Sequence, residues 1–118
     1  MLLDLTLVES ITMTDLVQQL ANELAVRPNQ VEAAIRLIDE GASVPFIARY
    51  RKEVTQGLDD TQLRQLDTRL TYLRDLYERR EKVIQSLQEQ DKLSDDLLAR
   101  VNAAETKNAL EEIYAPYR

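Results

Sequence analysis

The side chains with the strongest claim to chemistry are two adjacent carboxylate pairs, Asp59-Asp60 and Asp95-Asp96, and a run of bases, Arg49, Arg51 and Lys52, beside Phe46 and Tyr50. Two carboxylates act as an acid and base, or an acid and nucleophile, only when they face one another across a substrate. Neighbours in sequence do not. Each pair also stands at the start of a stretch with helical periodicity, where a carboxylate stabilises the free N–H groups of the first turn. Helix capping therefore accounts for both pairs. Neither pair has a third oxygen ligand at readable spacing, so no metal site is expected. The chain contains no His and no Cys, which removes imidazole acid–base catalysis, thiolate nucleophiles and the usual zinc ligand sets. Its two glycines, Gly41 and Gly57, cannot assemble a phosphate-binding loop. The expectation is a protein without catalysis and without a cofactor.

The bases allow two readings. In one, the segment Val44-Pro45-Phe46-Ile47-Ala48-Arg49-Tyr50-Arg51-Lys52 is a short helix that enters a nucleic-acid groove, as in a helix-turn-helix, with Arg49, Arg51 and Lys52 neutralising phosphates. In the other it is a structural clasp. Phe46, Ile47 and Tyr50 are then core, Pro45 sets the first turn, Gly57 ends the following loop, and the bases pair with Asp39, Glu40 and Glu53. The clasp is the preferred reading, and on it loss of a fully buried Phe46 ring costs about 3–5 kcal/mol. Charge points the same way, because a net charge of −6 and a pI near 4.7 give the summed field no attraction for a polyanion. Of the regions 1–12, 13–60, 64–82 and 83–118, only the run from Arg64 to Lys82 is net positive, with a surplus of two bases.

The elements that position these residues are helical. Leu16, Val17, Leu20, Ala21 and Leu24 share one face, which predicts a first helix from Asp15 to about Ala25. Pro28 suits the first position of a second helix whose inward stripe is Val31, Ala34, Ile35 and Ile38, with Gly41 as a left-handed C-terminal cap. Ser43 caps the third, short helix, and Asp59 with Gln62 has the spacing of a capping box. From Thr61 to Gln90 there is neither Gly nor Pro, so roughly thirty residues form one helix on the order of 45 Å long. Leu63, Leu66, Leu70, Leu73, Tyr77, Ile84 and Leu87 follow heptad spacing along it, with Arg80 the polar occupant and Tyr72, Leu76 and Val83 widening the stripe. Ser94 opens a fifth helix to about Asn102. Thr106 opens a sixth, with Leu110, Ile113 and Tyr114 inward, which Pro116 ends near Ala115. The fold class is all-α, a multi-helix domain with short helix-turn-helix-like N-terminal helices around one long central helix.

Residues 1–12 read either as an extension ahead of a natural start at Met13 or as an ordinary N-terminal turn in which Leu3, Leu5 and Leu7 pack on the rest. Asp4 and Glu9 interrupt the apolar residues, so neither a signal peptide nor a membrane span fits, and a cytoplasmic location is expected. The ending Tyr-Ala-Pro-Tyr-Arg reads as a cut within a longer protein, residues 13–118 being its N-terminal helical region.

The stretch from Gly41 through Val44-Pro-Phe-Ile-Ala-Arg-Tyr-Arg-Lys-Glu53 to Gly57-Leu-Asp-Asp-Thr-Gln-Leu-Arg64 resembles the signature of the bacterial Tex family of transcription accessory proteins. The tail Leu110-Glu-Glu-Ile-Tyr-Ala-Pro-Tyr-Arg118 is similar to that family's next block. The resemblance implies a longer protein with an RNase H-like domain, helix-hairpin-helix elements and a C-terminal OB-fold RNA-binding module. It further implies that nucleic acid is bound by the full-length protein, chiefly through those modules, with this region as scaffold among the remaining domains and the transcription machinery. One departure is Gln56, where many members carry Gly. A positive φ at that position would strain Gln56, whereas a positive φ at Gly57 alone changes nothing. Two alternatives remain at this point: a protein-interaction module using the heptad face of the long helix, and a helix-turn-helix DNA binder.

Overall fold

A computed structural model describes residues 5–118, with side chains from Met13 onward. It contains six α-helices in chain order, and no strand occurs among the described residues: α1 (Leu5–Leu24), α2 (Pro28–Asp39), α3 (Val44–Tyr50), α4 (Asp60–Glu89), α5 (Asp95–Ala103) and α6 (Lys107–Tyr114). A 3-10 turn, Ala115–Tyr117, follows. No described helix is long and apolar enough to cross a membrane. The described residues form two compact units, one ending at Leu73 and one running from Arg74 to Arg118. The long helix α4 supplies its first half to one and its second half to the other.

In the first unit α1 packs on α2 and α2 on α3. Leu16, Val17, Leu20 and Ala21 of α1 are buried, as are Val31, Ala34 and Ile35 of α2 and Leu63, Leu66, Leu70 and Leu73 of α4. The stripe expected for α1, α2 and the first half of α4 is thus the face each buries, with Leu24 and Ile38 only half-buried at its end. The start of α1 differs: the helix begins at Leu5, well ahead of Asp15. No Gly or Pro interrupts residues 5–14, so nothing in that run stops a helix already held further along. Leu3 and the side chains of Leu5 and Leu7 lie outside the described residues.

Helix ends follow local chemistry. The Oγ of Ser43 accepts from the backbone N–H of Phe46 at 3.3 Å. Asp59 and Gln62 form the reciprocal box, Asp59 Oδ1 accepting from the Gln62 N–H at 2.8 Å and Gln62 Oε1 from the Asp59 N–H at 2.9 Å. Ser94 and Thr106 cap α5 and α6 in the same way, at 3.1 and 3.0 Å. At the far end of α2, Gly41 (φ 97°) closes a Schellman motif: Gly41 N–H donates to the Ile38 carbonyl and Ala42 N–H to the Leu37 carbonyl, both at 3.0 Å. The same pair of bonds closes α1 at Ala25 and α4 at Asp91, with φ of 55° and 57° at residues that carry a Cβ.

In the second unit α5 packs on α6, and Leu76, Val83, Leu87, Leu97, Val101 and Leu110 are buried. Ile113 and Tyr114 are half-buried. This corrects the heptad reading of α4 beyond Leu73, because Tyr77 and Ile84 are only half-buried while Leu76 and Val83 are enclosed. In the second unit the enclosed side of α4 is that of Leu76, Val83 and Leu87, and at about 100° per residue Tyr77 and Ile84 fall at its edge.

Candidate interaction surface

The segment between α2 and α4 forms a hook. Its inner side is Ile47 of α3 together with Thr55 and Leu58, all essentially inaccessible. Thr55 is buried without an unmet polar group, because its hydroxyl donates to the Lys52 carbonyl at 3.3 Å. Phe46 and Tyr50, expected in the core, are instead 39% and 58% exposed. The two-turn helix α3 is apolar at 44, 46, 47, 48 and 50. Residues 44, 47 and 48 define one face and 46 and 50 another, so periodicity alone does not choose between them. The set with the smaller side chains, Val44, Ile47 and Ala48, is the one turned inward, and the clasp is closed by Ile47, Thr55 and Leu58.

On the outer side the rings and bases are arranged against one another. The Phe46 and Tyr50 ring centroids are 5.3 Å apart with planes tilted by 47°. The Arg51 guanidinium lies 5.0 Å from the Phe46 centroid and that of Arg49 lies 5.4 Å from the Tyr50 centroid, both within cation–π range. Arg51 also donates to the Tyr50 carbonyl at 3.0 Å. Arg49, Arg51 and Lys52 are exposed. The ion pairs expected with Asp39, Glu40 and Glu53 do not form, and among the described residues these three bases have no carboxylate partner. Bases elsewhere do, as with Arg69 and Glu23 at 2.7 Å and Arg64 with Asp60.

The turn after α3 carries the left-handed residue that the resemblance left open. Both Gln56 (φ 57°) and Gly57 (φ 97°) have positive φ. Gln56 is held there from outside: Arg27 Nη2 donates to its Oε1 at 2.7 Å, and Gln30 Nε2 to its carbonyl at 3.1 Å. Pro28 occupies the first turn of α2, and Gln30 Oε1 accepts from the Arg27 N–H at 2.9 Å. The start of α2 thereby latches the hook. Nothing in the spacing of Arg27 and Gln56 signals this contact.

The carboxylate pairs serve helix starts. Asp59 caps α4 while Asp60 pairs with Arg64, and Asp95 and Asp96 occupy the first turn of α5. No group of three potential metal ligands gathers among the described residues. Arg80, the polar occupant of the long-helix stripe, donates through Nε to the Val101 carbonyl at 3.2 Å and through Nη2 to the Ala104 carbonyl at 2.8 Å. It supplies a donor to the Ala104 carbonyl at the end of α5 and a second donor to the Val101 carbonyl, which also accepts from the Ala104 N–H at 3.4 Å. In the same unit Arg79 donates to both carboxylate oxygens of Glu111, the Nη2 contact at 3.2 Å, and Arg118 reaches Glu111 as well. These hydrogen bonds, Arg79 first, hold the Glu111 carboxyl below the ordinary glutamate range. The bond from Arg69 does the same for Glu23.

Comparison with known proteins adds what geometry does not. Residues 14–88 match the model of the Tex-like protein N-terminal domain. The chain is 61% identical over 99 residues to the transcriptional accessory protein Tex of Neisseria gonorrhoeae, covering 84% of this chain and 13% of that protein. It is 60% identical over 99 residues to protein YhgF of Escherichia coli K12, with the same 84% and 13% coverage. A human relative, S1 RNA-binding domain-containing protein 1, is 34% identical over 104 residues, which is 88% of this chain and 10% of that protein. The chain therefore spans about an eighth of the bacterial relatives it matches. With more than half of its length on the family's N-terminal domain, the chain belongs to the Tex-like family of transcription accessory proteins.

Proposed function

We propose that this chain is the helical N-terminal scaffold of a transcription accessory protein whose full-length form binds RNA or DNA through regions outside residues 1–118, and that it performs no catalysis itself. The observation that carries the reading is the family match over residues 14–88, joined to relatives named for transcription and for an S1 RNA-binding domain. The chemistry of the chain agrees with a scaffold. Its net charge is −6, its carboxylate pairs are spent on helix starts, and its buried side-chain polar atoms among the described residues all have partners. The heptad face of α4 is largely enclosed within the chain, which leaves no continuous apolar seam for a coiled-coil partner. A cytoplasmic location follows from the same reading.

The test compares RNA and DNA binding by the full-length protein, by the full-length protein lacking this region, and by this chain alone. The scaffold reading expects binding by the first two and none by the third at physiological salt. Tight binding by the isolated chain, lost when Arg49, Arg51 and Lys52 become Ala, would return the groove-binding reading instead.

A further inference from the structure

The outer face of the hook is left without a role by a scaffold. Four large apolar side chains are exposed among the described residues, and three of them, Phe46, Tyr50 and Val54 (48% exposed), fall in this one segment. Single exposed apolar residues are ordinary on a surface; a cluster marks a contact site. Beside them stand Arg49, Arg51 and Lys52, exposed and without carboxylate partners among the described residues. Aromatic residues and Arg are the types enriched at the centres of protein interfaces.

We propose that this face docks an acidic segment of a separate protein, one that sets carboxylates around an apolar anchor. Charge complementarity argues for it. A guanidinium lying over a ring has committed its face and keeps its N–H edge for a carboxylate, in the bidentate geometry that Arg provides and Lys does not. Arg49 and Arg51 are held that way over Tyr50 and Phe46, so part of the ordering cost of binding is already met. Phe46, Tyr50 and Val54 supply the apolar ground for the anchor.

A nucleic acid fits the same face less well. A guanidinium already covers one face of each of Phe46 and Tyr50, which leaves less ring surface for base stacking. Val54 has no part in stacking or in phosphate contact. Helix α3, at seven residues, is short for groove entry. The proposal stands apart from the scaffold reading: nucleic-acid binding by the full-length protein neither supports nor removes it.

The experiment is fluorescence anisotropy on the 118-residue chain, with a short labelled peptide in which glutamates flank a Leu-Phe pair. A second peptide carries Gln for every Glu, and single-stranded and duplex oligonucleotides serve as competing probes. The expected result is saturable binding of the acidic peptide that weakens about tenfold or more in the Gln peptide, in the combined Arg49→Ala, Arg51→Ala, Lys52→Ala variant, and in Phe46→Ala, Tyr50→Ala. All five side chains are exposed, so circular dichroism should match the parent. A charge swap, Arg49→Glu with Arg51→Glu against a lysine-flanked peptide, should restore binding whatever the alanine variants do to folding. The proposal is overturned if the acidic peptide does not bind, if either alanine variant binds it as the parent does, or if an oligonucleotide holds the same residues more tightly.

Discussion

Two neighbours in α3 separate size from burial. Ile47 is fully enclosed and Phe46 is 39% exposed, so the smaller side chain carries the stability. Ile47→Ala should cost about 2–5 kcal/mol through lost transfer energy and the cavity left behind. Phe46→Ala should cost about 1 kcal/mol or less, the scale of an exposed cation–π contact. Urea denaturation of the two variants decides the order, and a larger loss at Phe46 would mean that the ring is buried in solution. Protons add a second test at this scale. Glu23 and Glu111 are held below the ordinary glutamate value of 4.5 by hydrogen bonds from Arg69 and Arg79. A carboxyl whose folded pKa is depressed adds stability that is present above its unfolded value and is lost as pH falls through the folded one. The melting temperature should therefore decline below about pH 4.5, less steeply in Glu23→Gln and Glu111→Gln, and less steeply at high salt because both carboxylates are partly exposed. An identical acid limb in parent and variants would show that the pairs do not persist.

Helix ends were legible in the sequence because a cap is a local event. The side chains of Ser43, Asp59, Ser94 and Thr106 each need only a backbone N–H donor three residues on, and Pro28 and Gly41 each fix a backbone angle. Two features were not legible. The ends of α1 and α4 adopt the left-handed conformation at Ala25 and Asp91, where no Gly announces it, and the role of Arg80 depends on carbonyls more than twenty residues away. Each yields a prediction. Ala25→Gly and Asp91→Gly should stabilise by about 0.5–1 kcal/mol each, since Gly enters this region without a Cβ penalty. Gln56→Gly should stabilise less, because it also removes the side-chain bond from Arg27. Thermal melts of the three variants give the ranking, and a loss at Ala25 would refute the strain. Arg80→Met keeps the apolar stem and deletes both bonds to the end of α5, so it should destabilise by about 1–3 kcal/mol. Protection of the α5 amides from hydrogen exchange should fall with it, and unchanged protection would show that water replaces the guanidinium.

At the scale of the whole chain, the long-helix leucines decide whether the molecule has to assemble. A heptad pattern states that a face must be covered and does not state by what. Sequence therefore showed the stripe from Leu63 to Leu87 without distinguishing a partner chain from the chain's own helices. It also could not place the hook, since a helix of two turns with apolar residues on both sides has no single inward face. The structure encloses Leu63, Leu66, Leu70, Leu73, Leu76, Val83 and Leu87 within one chain, and that has a consequence for assembly. An obligate coiled-coil partner would have to draw on a face already used, while the net charge of −6 on each copy opposes close approach of two. Sedimentation equilibrium at low micromolar concentration should give a mass near 13.6 kDa, unchanged when salt is raised to screen the repulsion. A dimer that strengthens with salt and is lost on Leu70→Glu would place the seam between chains. A dimer lost instead on Phe46→Ala with Tyr50→Ala, the fold intact, would put a second copy on the hook. Both are excluded by a monomer that melts at a temperature independent of concentration.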